Sequence, residues 1–243
     1  MIYLRSSFFN LIWILWSLLM ALTVPISILF YRGDDGRYAR QVSRVWSRGT
    51  TWLLAMICGL RYRVEGSENI PNRPAFLACK HQSAFETFVM NIIVPDLCIA
   101  YKSELNSVPI FGWFLRHSKM MSVNRNGGAS ALRNMMAQAR AESNKGRYVL
   151  IFPEGTRVAV GEYGNAHVGI VAMVRDLKLP VVPISLNSGL YWPRKSFLRY
   201  PGEIIIRFMP VIEYVDKFGK KDLEDLIKII GYESCRLCSI EQH

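Results

Sequence analysis

Hydrophobic and polar positions divide the chain into two regions. From Phe8 to Tyr31 no residue carries a formal charge, a run of 24 residues that includes Trp13, Leu15, Trp16, Leu18 and Met20. At ~1.5 Å rise per residue a helix of this length reaches ~36 Å, enough to cross a hydrocarbon core of ~30 Å. A signal peptide would have an apolar stretch of roughly 7–15 residues and then a small-residue cleavage site, and this run overshoots it. Arg5 alone precedes the run, whereas Arg32, Arg37, Arg40, Arg44 and Arg48 follow it. The positive-inside rule therefore puts the remainder of the chain on the cytoplasmic side. Pro25 offers a kink, so a re-entrant or interface-lying hairpin made with the next apolar segment, Val45 to Leu60, is the alternative to a full span. Residues 32–48, rich in charge, read as a junction between a membrane-anchoring part (1–60) and a globular part (61–243).

After Arg61 short apolar runs alternate with helical patterns. Strands are predicted over Arg61–Val64, Ala75–Cys79, Leu97–Tyr101, Met120–Val123, Tyr148–Phe152, Val181–Leu186 and Ile204–Met209. Helical spacing covers Phe85–Ile93, Ser130–Ala141, Val168–Leu177 and Asp222–Cys238. This alternation predicts an α/β fold, a mostly parallel central sheet flanked by helices, with sites gathered in loops at the carboxyl ends of strands.

With 51% hydrophobic and 20% charged residues, the chain of 243 is too apolar to be disordered and long enough for an enzyme-sized core. The net charge of +11 calls for an anionic partner. Nucleic acid is excluded on two grounds: a soluble binder has no use for a membrane segment, and no basic helix is interleaved with stacking aromatics. An anionic lipid surface or a phosphorylated substrate remains. Five cysteines, an odd number, make no disulfide framework and fit a reduced compartment. Cys235 and Cys238 form a C-x-x-C without a second ligand pair and read as helix-face residues, so no metal site is expected.

Three loops after strands carry candidate chemistry. In Lys80-His81-Gln82-Ser83-Ala84-Phe85-Glu86, a carboxylate five residues beyond a strand-end His can orient the imidazole as a general base. Ser83-x-x-Glu86 equally fits a capping box, with His81 a mere loop residue. In Phe152-Pro153-Glu154-Gly155-Thr156-Arg157, Gly155 permits close backbone approach, Thr156 and backbone amides can donate to oxyanions, and Arg157 offers a fork matched to phosphate. Glu154 is suited to accept from a substrate hydroxyl, or to form a surface pair with Arg157. Lys102 and Arg125 also follow strands, so a parallel sheet would bring both to the edge that holds His81 and Glu154.

H-x4-acid, a later basic segment ending in Val123-Asn124-Arg125, F-P-E-G-T-R, and Leu179-Pro180-Val181-Val182-Pro183-Ile184 occur here in the order and at the spacing of the glycerolipid acyltransferases. The chain resembles that family over roughly Arg61 to Tyr214, most closely its bacterial members that acylate 1-acyl-sn-glycerol 3-phosphate. The stretch Leu186 to Arg194 also looks like proteobacterial members.

The resemblance implies transfer of a fatty acyl group from acyl-CoA or acyl carrier protein to lysophosphatidic acid, at the cytoplasmic face of a bacterial inner membrane. It implies no cofactor beyond that cosubstrate. His81 matches the family's catalytic base and Glu86 its orienting carboxylate. Lys102, Arg125 and Arg157 match basic residues tied to the acceptor, and Glu154, Gly155 and Thr156 fall within a second acceptor-binding motif. The block from Pro180 to Ile184 reads as structural or as part of the acyl pocket. Two departures stand out. The commoner pattern has Asp at the position of Glu86, and His167 lies near where relatives often carry Lys, where it reads as a surface residue.

Overall fold

The structure is a computed structural model that describes residues 1–24, 26, 35–108, 110–124, 127–165, 167, 169–213 and 218–240. Seven strands form one sheet: β1 (Leu60–Glu65), β2 (Phe76–Cys79), β3 (Leu97–Lys102), β4 (Met121–Val123), β5 (Tyr148–Ile151), β6 (Val181–Leu186) and β7 (Gly202–Phe208). Their spatial order is β1-β7-β6-β2-β5-β3-β4. The five strands from β6 to β4 run parallel, β7 is antiparallel to β6, and β1 is parallel to β7. A mostly parallel sheet was expected, and the antiparallel turn-back at β6–β7 is its one mixed joint among the described strands.

β2 shows why its residues form this element. All four side chains of Phe76-Leu77-Ala78-Cys79 are buried, as a central strand covered on both faces requires. Successive side chains point to opposite faces. Leu77 and Cys79 pack with Leu97, Leu150 and Ile184 on one side, and Phe76 and Ala78 with Val149, Met173 and Leu226 on the other. Helices α3 (Phe85–Ile93) and α4 (Phe111–His117) follow β2 and β3, and α5 (Gly128–Ser143) and α6 (Gly169–Leu177) flank β5 in sequence. A single-turn helix, α7 (Ser188–Tyr191), follows β6, and α8 (Lys220–Ile240) closes the described chain.

Two helices precede the sheet. α1 (Ile2–Ala21) starts upstream of the uncharged run and is, by length and composition, a helix able to cross a membrane. α2 (Arg37–Leu53) continues through a widened turn over Leu54–Cys58 into β1. The expected junction at residues 32–48 is therefore helical from Arg37 onward. Its arginines recur every three or four positions and so share one helix stripe, where Arg40 Nε lies 3.1 Å from Asp96 Oδ1 and Arg44 Nε donates to Asn91 O at 3.3 Å. Pro25 and its expected kink lie outside the described residues.

The two helices lock together through indoles. Trp16 Nε1 donates to Trp46 O at 3.1 Å, Trp46 Nε1 to Ser17 Oγ at 3.0 Å and Trp13 Nε1 to Thr50 Oγ1 at 3.2 Å. Gly49 permits this approach, since a Cβ there would sit 2.4 Å from the Trp16 ring. Phe9, fully buried, meets Trp192 edge-on. The opposite stripe of α1, including Leu4, Phe8, Leu11, Leu15, Leu18 and Leu22, is exposed.

Candidate functional site

The parallel order β2-β5-β3-β4 puts the carboxyl ends of these strands on one edge, and the residues that follow them face a common space. β2 hands the chain to Lys80 and His81. The backbone of His81 is held on both sides by the loop after β5: its N–H donates to Glu154 Oε2 at 3.0 Å, and its carbonyl accepts from Val158 N at 2.8 Å. The imidazole stacks on Phe152, with ring centroids 3.9 Å apart and planes 18° off parallel. Main chain and ring are thus both fixed before any substrate arrives.

Glu86, in the first turn of α3, reaches back over the loop. Its Oε1 accepts from Gln82 N at 2.6 Å and Ser83 N at 2.7 Å and lies 2.9 Å from His81 Nδ1. The Glu86 bond to the Ser83 amide and the Glu86 contact with His81 are both present, on one oxygen, although the helix N-cap is Ala84, without a side-chain cap bond. An oxygen that already accepts two amide protons suits a donor as its third neighbour. The tautomer with the proton on Nδ1 satisfies that contact and leaves the lone pair on Nε2. The Glu86 side chain is fully buried, while that of His81 is 12% exposed. Only the imidazole of this pair meets the cavity.

The cavity has a volume of about 1290 Å³ and runs from His81 between the sheet and the N-terminal helices. α3 presents Ala84, Thr87, Phe88 and Asn91 to it, one stripe of the helix, and Trp13 and Trp46 close it from α1 and α2. Most of its wall is apolar. Among the described residues, Lys102, Arg157, Arg194 and Lys195 line it along with His81. Lys102 is half-exposed and 3.0 Å from Glu104. Arg125 lies outside the described residues.

The loop Pro153–Arg157 divides its labour. Gly155 has φ +64°, a left-handed backbone, and a Cβ there would sit 2.4 Å from the His167 ring. That explains why only glycine fits. Gly155, Thr156 and Arg157 line the cavity together with His167, whose side chain is exposed. Glu154 does not face it. The expected substrate hydroxyl is replaced by Lys80 Nζ on Oε1 and the His81 amide on Oε2. Lys80 and Glu154 have side chains 1% and 2% exposed, and Lys80 Nζ also donates to Glu162 O at 2.8 Å. Burial pushes the Glu154 carboxyl up from its ordinary range, and Lys80 pulls against it.

Residues 61–187 match the Acyltransferase family. The chain belongs to the acyltransferase family. Among relatives of this acyltransferase, a 1-acyl-sn-glycerol-3-phosphate acyltransferase of Pseudomonas aeruginosa is 40% identical over 71% of the chain and 67% of the relative. One from Cocos nucifera is 25% identical over 89% of the chain and 68% of the relative. A lyso-ornithine lipid O-acyltransferase of P. aeruginosa is 28% identical over 60% of the chain and 56% of the relative. The solved structure of a 1-acyl-sn-glycerophosphate acyltransferase from Thermotoga maritima superposes with a TM-score of 0.67 at 20% identity, covering 95% of this chain and 98% of that one. The fold match thus takes in the N-terminal helices as well as the sheet.

Three features of this acyltransferase's site were invisible to motif reading. The stacking role of Phe152, the pairing of Lys80 with Glu154, and a hydrogen bond from Ser188 Oγ to Glu86 Oε2 at 2.9 Å all depend on strand order. Lys80 adjoins the His motif and Phe152 opens F-P-E-G-T-R, so adjacency was the only available signal. The C-x-x-C lies in α8 with both thiols free, as read from the helical pattern.

Proposed function

We propose that this acyltransferase moves a fatty acyl group from an acyl thioester to the free hydroxyl of 1-acyl-sn-glycerol 3-phosphate, forming phosphatidic acid. The observation that carries the chemistry is the His81–Glu86 pair at the end of a long apolar cavity. Nε2 of His81 takes the acceptor hydroxyl proton as that oxygen attacks the thioester carbonyl, and Glu86 stabilises the imidazolium. The tetrahedral oxyanion collapses by breaking the C–S bond, and the leaving thiolate takes the proton back from His81. Backbone amides beyond Gly155, whose own N–H already donates to Phe152 O, would supply the donors for the oxyanion.

No acyl-enzyme is needed. Cys79, the thiol next to the site in sequence, is fully buried, and burial pushes it well above the ordinary thiol range, with the Glu86 and Glu154 charges adding to that effect. The acyl chain has room in the cavity, while Lys102 and Arg157, which line it, would hold the acceptor phosphate, the role the family resemblance also gives Arg125. Such positioning is able to supply ~7–11 kcal/mol of the barrier reduction. No metal or cofactor beyond the acyl thioester enters the scheme. Either acyl-CoA or acyl carrier protein serves as donor.

The exposed leucine stripe of α1 would lie in lipid, and the exposed Arg37 and Arg48 of α2 favour the anionic cytoplasmic leaflet of the inner membrane at ~1 kcal/mol per well-placed cation. Residues 1–60 would then act as the anchor and 61–243 as the catalytic unit.

The test is acyl transfer in detergent micelles, from labelled acyl-CoA and acyl carrier protein, to lysophosphatidic acid, lysophosphatidylcholine and lyso-ornithine lipid. Transfer confined to the phosphate monoester and lost in His81→Ala supports the proposal. Preference for lyso-ornithine lipid would reassign the acceptor, and full activity in His81→Ala would remove the base.

A further inference from the structure

We infer that Ser188 is a positioning residue for the proposed acyl transfer, acting on the base through Glu86. The inference rests on that proposal for its chemistry, but its geometry stands independently. Glu86 is fully buried and its Oε1 is shared among three donors. Among the described residues its second oxygen would be a buried half of a carboxylate without a donor but for Ser188, whose Oγ donates to it at 2.9 Å. Ser188 itself is fully buried and shows no route to the substrate.

Ser188 is held where it can do this. It opens α7 directly after β6, and the neighbouring Gly189 N donates to Gln82 Oε1 at 3.1 Å. Gln82 Nε2 donates in turn to Ser234 Oγ of α8 at 3.0 Å, and Ser234 Oγ to Leu186 O. A Cβ on Gly189 would sit 2.8 Å from Val160 and 3.1 Å from Gln82 Cβ, so the α7 turn and the His81 loop are pressed together. Ser188, Glu86 and His81 form a relay of donor, carboxylate and imidazole whose last member alone faces the cavity.

The consequence is electrostatic. A donor on the second oxygen takes up part of the carboxylate's charge and fixes its orientation. Other titratable or charged groups around the pair are Glu154, Lys80 and Cys79, with Lys102, Arg157 and His167 along the cavity. None of these has a hydrogen bond to Glu86 among the described residues. Removing the Ser188 hydroxyl should leave more of the Glu86 charge facing the imidazolium and free the carboxylate to rotate.

The experiment uses the full chain in detergent, as parent, Ser188→Ala and Ser188→Thr. The pH dependence of kcat/KM and the deshielded ring N–H proton signal of His81 in labelled protein are both recorded. Expected for Ser188→Ala are kcat about tenfold lower with KM for both substrates unchanged, an acid limb displaced to higher pH, and a ring proton signal broadened by exchange. Ser188→Thr, which keeps a hydroxyl, should restore all three. An unmoved acid limb with a sharp signal in a folded Ser188→Ala protein would overturn the inference, as would failure of Ser188→Thr to recover either readout. A parent without acyl transfer whose ring signal still broadens in Ser188→Ala would leave the relay standing and remove the proposed reaction instead.

Discussion

Nδ1 of His81 lies 2.9 Å from Oε1 of Glu86, the same oxygen that accepts the backbone amides of Gln82 and Ser83. One carboxylate therefore closes the loop that leads into α3 and sets the imidazole tautomer. Glu86→Gln keeps an oxygen for the amides but removes the charge. It should lower kcat by ~10²–10⁴, the range for losing general-base assistance, with little change in Tm. Glu86→Ala loses the amide acceptor as well, and should also cost ~0.5–2 kcal/mol of stability, the range for a lost helix cap. Paired kinetics and thermal unfolding separate the two, and equal Tm losses would sink the division of roles.

Lys80 and Glu154 are each left with an uncompensated buried charge if the other is removed. Lys80→Met or Glu154→Leu should destabilise by ~3–5 kcal/mol, and the double variant by less than either single change. Denaturant titration of all four proteins measures this. Acceptor KM should not be the parameter that changes for Glu154→Gln, since Glu154 faces Lys80 and the His81 amide rather than the cavity.

Phe9 and Leu15 lie on the same helix and should behave oppositely. Phe9 is fully buried against Trp192, and Phe9→Ala should cost ~3–5 kcal/mol of stability. Leu15 is 54% exposed, and Leu15→Arg should leave unfolding in detergent within ~0.5 kcal/mol while weakening retention on anionic vesicles. Unchanged vesicle binding would remove α1 from the membrane.

Burial pushes Cys98 up from 9.0 to about 12 and Cys238, with help from the Cys235 charge, from 9.0 to about 11. A raised thiol stabilises the fold below the unfolded value, and that contribution is lost as pH rises through the folded value. Stability should thus decline between pH 9.0 and about 12, and less so in Cys98→Ala. Native alkylation near pH 8 should reach Cys235, the half-buried thiol, before the buried ones. Modification of Cys98 at the same rate would contradict its burial.

Much of this was legible from periodicity. The apolar runs Leu97–Tyr101 and Val181–Leu186 bury side chains on both faces and announce themselves as strands, and His81 and Gly155 sit in the loops that the runs Ala75–Cys79 and Tyr148–Phe152 leave behind. The first half of the helix over Arg37–Leu53, before the apolar segment from Val45, was hidden because its charges suggested a junction; only the docking of Arg40 on Asp96 and of Arg44 on Asn91 reveals part of the stripe as a packed face.

Local pattern determined which segments were strands and helices, and which chemistry followed each strand. Tertiary structure alone decided that Lys80 meets Glu154, 74 residues away, and that Ser188 meets Glu86, 102 residues away. A hydrophobic period records which face of an element is buried, but carries no label for its neighbour. The order β6-β2-β5 that brings these side chains together is selected by packing and crossover geometry over the whole sheet.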